Sequence, residues 1–217
     1  MDPQIIMDRV MLLIPLVLSL TVHEFAHAWS AWKLGDDTAA LQGRLTLNPV
    51  AHIDPIGTLL LPLLGIPFGW AKPVPVNPAR FRRGVNMTTG MMLTAVAGPL
   101  SNLLLAIASA VFYGLTLRFA PGTIDANPGL HRFVVIAVAM NVALAIFNML
   151  PVPPLDGSRV VEGVLPYRLR GLWDRVVQFS PFLLIGLVFF GRGIISGPIG
   201  YVQGWLYELM FTLGVAG

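Results

Sequence analysis

The chain contains no cysteine. Disulfides and thiolate metal sites are therefore excluded, and any metal must be held by His, Asp or Glu. Charge is scarce as well. Only 12% of the 217 residues are Asp, Glu, Lys or Arg, about half the share of a typical soluble domain. No basic run with interleaved aromatics appears, which argues against nucleic acid as a partner, and no fixed-period repeat points to a solenoid. Long apolar runs stand in place of charge. The chain is 55% hydrophobic with a mean hydropathy of +0.74, as in an integral membrane protein with no room for a large soluble domain.

The runs predict an all-α polytopic membrane protein of about five spanning helices. The first span covers roughly residues 5–32, the second 88–117 and the third 133–150. A last apolar stretch, about 180–215, is interrupted by Gly191–Gly200 and reads as a hairpin of two spans. Its Gly193/Gly197 and Gly200/Gly204 pairs have the G-x-x-x-G spacing that brings helices together, so an oligomer is compatible with the sequence. The run 56–70 is different. It is short and carries Gly57, Pro62, Gly65, Pro67 and Gly69 just after Pro55. It reads as a re-entrant segment packed inside protein rather than a crossing. A small β element on the cytoplasmic side is allowed near 38–52 or 70–78.

Within the first span stands His23-Glu24-Phe25-Ala26-His27. Positions i and i+4 share one face of a helix, so His23 and His27 can bind one ion together with Glu24 beside it. That is the pattern of a zinc hydrolase: two imidazole ligands and a carboxylate that takes a proton from the attacking water. Composition gives roughly 0.004 chance matches to H-E-x-x-H over the chain. Three ionisable groups in an apolar helix also cost several kcal/mol unless partnered or facing water.

Zinc at a catalytic site takes three protein ligands. The remaining candidates near membrane depth are His52, Asp54 and Asp156. Asp156 follows the third span directly and meets the histidines only if the first and third spans run parallel, which requires that 56–70 not cross. The charges choose the same topology. With 56–70 re-entrant, Lys33, Arg44, Lys72, Arg80, Arg82, Arg83, Arg159, Arg168, Arg170 and Arg175 share one side, against Arg118 and Arg132 on the other. The heavier side is the cytoplasmic one. His52 is either an oxyanion donor, an alternative ligand or an interfacial histidine; Asp54 is expected to bond backbone N–H groups before Pro55. Asn148 and Asn102 are candidates for holding substrate backbone or polarising the scissile carbonyl, or else for interhelical hydrogen bonds.

The set of H-E-F-A-H, Gly98-Pro99-Leu100-Ser101-Asn102 and Asn148-Met-Leu-Pro-Val-Pro-Pro-Leu-Asp156-Gly157 resembles the site-2 protease family of intramembrane zinc metalloproteases. The stretch from Asn48 to Thr58 is similar to its compact prokaryotic branch, without a PDZ domain. The resemblance covers about residues 10–165. It implies a Zn²⁺ cofactor held by His23, His27 and Asp156, with Glu24 as catalytic acid and base. It further implies a multi-pass protein of the prokaryotic cell membrane that cuts transmembrane protein substrates inside the lipid bilayer. On this reading residues 1–217 are a single metalloprotease domain, with a catalytic core at 5–165 and a C-terminal helical hairpin at 180–215. The alternative reading is a metal or proton transporter using the same His/Asp cluster.

Overall fold

The computed structural model describes residues 3–66 and 69–215. Helix α1 (Pro3–Lys33) is a single 31-residue helix. It ends where Gly35 adopts a φ of +108°; a Cβ there would come within 2.7 Å of the Arg82 nitrogen, whose N–H donates to Leu34 O at 2.8 Å. Lys33 lies over the rings of Trp29 and Trp32, at 5.5 and 4.8 Å. Both tryptophans are about half exposed, as expected of a belt at a membrane surface.

After α1 the chain is irregular. The short helix α2 (Thr38–Leu41) is followed by a 3₁₀ turn, Pro49–Ala51. Asp54 then caps a π-helical turn, Pro55–Leu60, accepting from the N–H groups of Ile56 and Gly57 at 3.0 and 2.7 Å. The role is local, as expected of Asp54, but the N–H groups lie after Pro55, where the turn leaves its first N–H groups without helical partners, and not before it. One turn of α3 (Leu61–Leu63) leads to Gly65, whose φ is +82°, and the chain doubles back. Lys72 N–H donates to His52 O at 2.9 Å, Trp70 N–H to Gly57 O at 3.3 Å, and Thr58 Oγ1 to Trp70 O at 2.7 Å. The segment therefore returns to the side it left, as a re-entrant hairpin. Pro67, one of its expected breakers, lies outside the described residues. Arg9 donates from its guanidinium to Leu63 O at the tip.

Helix α4 (Met87–Phe119) starts at Asn86, which accepts from Thr88 N–H. It is followed by α5 (Pro121–Ala126), α6 (Pro128–Asn148), α7 (Asp156–Val164), α8 (Arg170–Gln178), α9 (Ser180–Phe190) and α10 (Arg192–Val215). Helix α4 is the centre of the bundle, packed on α1, α6, α7 and α10. Away from α1, buried residues of α4, α6 and α10 such as Ala106, Val138 and Leu206 form the apolar core.

Three expectations change in detail. Among the described residues there is no strand, so the cytoplasmic β element is missing. Pro73, Pro75 and Pro78 remove the N–H groups that a ladder through that stretch would need. Among the described residues, the helices long and apolar enough to cross a membrane number three: Arg9–Lys33, α4 and α6. A fourth arises if Tyr167–Phe190, bent by 65°, counts as one span. Helix α9 has 11 residues, about 16 Å against a hydrocarbon core of about 30 Å. The expected Gly191–Gly200 break is one turn at Gly191; α10 runs through Gly193, Gly197 and Gly200. In lipid an unpaired backbone costs more than glycine's poor helix propensity. The close helix approach lies elsewhere. A Cβ on Gly114 of α4 would come within 2.7 Å of Leu213 Cβ, whereas the G-x-x-x-G glycines meet nothing within 4 Å.

Candidate metal centre

His23, Glu24 and His27 are all buried on α1. Lys33 lies six residues beyond His27, about 9 Å further along the helix. Asp156 begins α7, brought back to α1 by Pro151-Val152-Pro153-Pro154. Gly157 permits that return, because a Cβ there would fall 2.1 Å from Met149 O. The result is a tight cluster. Asp156 Oδ2 lies 3.2 Å from His23 Nε2 and Asp156 Oδ1 lies 3.3 Å from His27 Nε2, while the two Nε2 atoms are 3.0 Å apart.

The outer nitrogens decide which atoms face the centre. His27 Nδ1 is 2.7 Å from Thr94 O. A carbonyl can only accept, so Nδ1 carries a proton, and in the neutral ring that a metal ligand requires Nε2 presents its lone pair. His23 Nδ1 donates likewise to Asn102 Oδ1 at 2.6 Å. The Asn102 orientation follows from its other bonds: Nδ2 donates to Ser19 O at 3.2 Å and to Asn141 Oδ1 at 2.8 Å, and Asn141 Nδ2 donates to Ala137 O at 2.9 Å.

Two imidazole Nε2 atoms and a carboxylate thus converge, and Asp156 Oδ2 is buried without a hydrogen-bond partner. With both histidines neutral these atoms are all acceptors, and acceptors gathered so closely repel one another unless a cation lies among them. His23, His27 and Asp156 could hold a metal ion. The donor set suits zinc, and an N–H held by a fixed acceptor behind each histidine is what orients such ligands. Room for the imidazoles comes from α4. A Cβ on Gly98 would lie 2.4 Å from His27 Nε2 and 2.6 Å from His23 Cε1.

The cluster opens into a cavity of about 460 Å³, lined also by Glu24, Trp70, Val74, Asn148 and Leu184. The backbone leaving the re-entrant hairpin crosses this cavity, and Val74 N–H donates to Glu24 Oε2 at 2.8 Å. Arg44 fixes the same stretch by donating to Lys72 O at 2.6 Å. The segment is further tied to the end of α1, since buried Asp36 accepts from Asn77 N–H at 2.6 Å.

Of the residues expected at the site, His23, Glu24, His27, Asp156 and Asn148 line one cavity. Asn148 donates to Leu144 O at 3.0 Å, one turn back. Asn102 lies behind His23, fully buried, with both its oxygen and its nitrogen engaged, so it does not face the cavity. His52 is apart from both. It is buried at the base of the hairpin, with Nε2 donating to Thr46 O at 2.8 Å. Asn141, Thr94, Gly98 and Val74 were not anticipated. Asn141 had one signal, its seven-residue spacing from Asn148 on one helix face; a backbone carbonyl or N–H has none.

Comparison with known proteins supports the same chemistry. The model of Peptidase family M50 matches residues 119–189. YwhC of Bacillus subtilis is 42% identical over 182 residues, covering 82% of this chain and 79% of that protein. Rip2 of Mycobacterium tuberculosis is 30% identical over 200 residues, covering 92% and 74%. Both carry "zinc metalloprotease" in their names. The chain belongs to peptidase family M50. No solved structure matches it. Membership in the site-2 protease family makes the protein a membrane zinc metalloprotease, with a multi-pass helical body and Zn²⁺ as its cofactor.

Proposed function

We propose that this M50 protease hydrolyses peptide bonds in or near transmembrane helices of other membrane proteins, in the cell membrane and from its cytoplasmic side, as a step of regulated intramembrane proteolysis. The observation that carries the reading is the His23–His27–Asp156 cluster, with both histidines inside a helix long and apolar enough to cross a membrane. The ten-to-two distribution of Lys and Arg supports the cytoplasmic orientation.

In this reading His23, His27 and Asp156 hold zinc. The ion, when bound, supplies a Lewis acid that acidifies water and polarises the scissile carbonyl. Glu24 takes the proton from the attacking water and delivers it to the leaving amine. Val74 N–H holds the Glu24 carboxylate in place between these transfers. A substrate helix hides its carbonyls in its own hydrogen bonds and must unwind to react. Once extended, it lies along Ala71–Val76, which borders the cavity. Pro73 and Pro75 have no N–H, so this backbone offers the incoming peptide mainly carbonyl acceptors. The second N–H of Asn148 serves the substrate carbonyl. His52 stiffens the hairpin base and takes no part in the reaction.

Purified zinc-loaded protein, reconstituted with a panel of labelled transmembrane peptides, is expected to cut at least one of them and to stop on addition of a chelator. Absence of chelator-sensitive cleavage across the panel rejects the proposal. Asn102 and Asn141 act behind the metal. Asn102→Ala and Asn141→Ala are each expected to weaken zinc binding about 10–100-fold, measured by competition with a chelating dye. Asn102→Asp retains an acceptor for His23 Nδ1 and should lose much less. Equal zinc affinity in all three variants would remove these residues from the centre.

A further inference from the structure

The stretch from Tyr167 to Phe179 takes no part in the metal centre. It contains a 3₁₀ turn, Tyr167–Leu169, and α8. At 3.6 residues per turn, Leu172, Trp173, Val176 and Val177 fall on one face of α8, and Arg170, Asp174 and Gln178 on the other. Arg170 and Arg175 stand at the two borders between these faces. This is the position from which a long basic side chain lays its stem on an apolar surface and lifts its charge into headgroups.

Three further observations say what covers the apolar face. Leu172 is 58% exposed and Phe179 is 61% exposed, and α8 packs on its own chain neighbours, the 3₁₀ turn and α9. A nine-residue helix is below the ~12–15 residues at which isolated helices become even marginal in water, so a surface must support it. Arg168, Arg170 and Arg175 make no ion pair among the described residues, and the only acid in the stretch is Asp174. The helix next in the chain is α9, Ser180-Pro-Phe-Leu-Leu-Ile-Gly-Leu-Val-Phe-Phe, turned from α8 by 65°.

We propose that Tyr167–Phe179 is an interfacial helix docked on anionic phospholipid, its apolar face in the acyl boundary and Arg168, Arg170 and Arg175 against the headgroups. The bilayer that receives α9 is the bilayer on which α8 lies. The same docking sets where α9 enters, and Leu184 of α9 borders the cavity of the metal centre.

The lack of cysteine makes the test direct. Leu172→Cys in the full chain carries one environment-sensitive fluorophore, and the protein is placed in nanodiscs of phosphatidylcholine with or without phosphatidylglycerol. A lipid-borne quencher sits near the headgroup. Phosphatidylglycerol is expected to raise the ratio of inserted to solvent-exposed label on the order of tenfold, and high salt to reverse the gain. In the R168Q/R170Q/R175Q background the dependence on phosphatidylglycerol should vanish. A label at Phe182→Cys on α9, quenched equally in all discs, reports that the chain remains inserted. Equal quenching at position 172 in both lipids, or a phosphatidylglycerol effect that survives the triple substitution, overturns the proposal. So does a label shielded by a second copy of the chain, seen as cross-linking between the introduced cysteines. None of these readouts depends on proteolysis.

Discussion

Replacing Glu24 by glutamine is expected to abolish proteolysis while leaving zinc in place. Glu24 borders the same cavity as His23, His27 and Asp156 but is not one of the convergent group that could hold a metal ion. Glutamine keeps its length and can still accept from Val74 N–H, so the fold and the metal should survive. What it cannot do is take a proton from water and return it to an amine. General acid–base catalysis contributes about 10²–10⁴-fold, and the loss in kcat should fall in that range or beyond it. The measurement is cleavage of a labelled transmembrane peptide beside zinc content in the same preparation. Activity within a few-fold of the parent would remove Glu24 from the reaction. The same variant separates proteolysis from transport. A transporter that uses the His/Asp cluster to pass metal needs no proton shuttle at Glu24 and would retain flux.

The second large effect should come from one methyl group on a helix that supplies no metal ligand. Gly98→Ala sets a Cβ 2.4 Å from His27 Nε2 and 2.6 Å from His23 Cε1. Both contacts are with the far ends of side chains, so the imidazoles swing aside while the backbone stays. Alanine is also the better helix former by about 1 kcal/mol, which leaves α4 intact. Zinc affinity is expected to fall on the order of a hundredfold or more, as when the support of metal ligands is lost. Metal content by elemental analysis and helicity by circular dichroism together test this. A Gly98→Ala protein that keeps stoichiometric zinc would mean that the two rings do not meet over Gly98 in the working enzyme.

The two outcomes rest on different parts of the chain's information. The chemistry at His23, Glu24 and His27 is local. Four residues separate the histidines, a helix turns once in 3.6, and the spacing alone puts both rings on one face. Placement of the first three spans was legible for a similar reason, because an apolar run must hide its own backbone polar groups in lipid and does so as a helix; the expected hairpin of two spans at 180–215 was not. Even the pairing with Asp156 could be reasoned from sequence. Charge asymmetry and the breakers in 56–70 left one topology in which the first and third spans end on the same side.

Folding in three dimensions decided what stands behind the ligands. Asn102 was a candidate for touching substrate; it is buried against His23 because α4 crosses α1 where Ser19 and His23 face it. His52, equally plausible in the sequence, is drawn into the hairpin base by Thr46 O and Lys72 N–H. Glycines were ambiguous in the same way. The spaced pairs in α10 meet nothing, while Gly98 and Gly114 each admit a close neighbour from a distant segment. A spacing repeat in sequence reports only which residues share a face of their own helix. Which face meets another helix, and whether a side chain points at the reaction or at the ligand behind it, depends on contacts between residues some 80 positions apart, such as His23 and Asn102. The sequence by itself determined the reactive motif and the first three apolar spans. The tertiary structure alone decided how the motif is held, because the groups that hold it are backbone carbonyls, missing side chains and long-range packing, none of which a local pattern encodes.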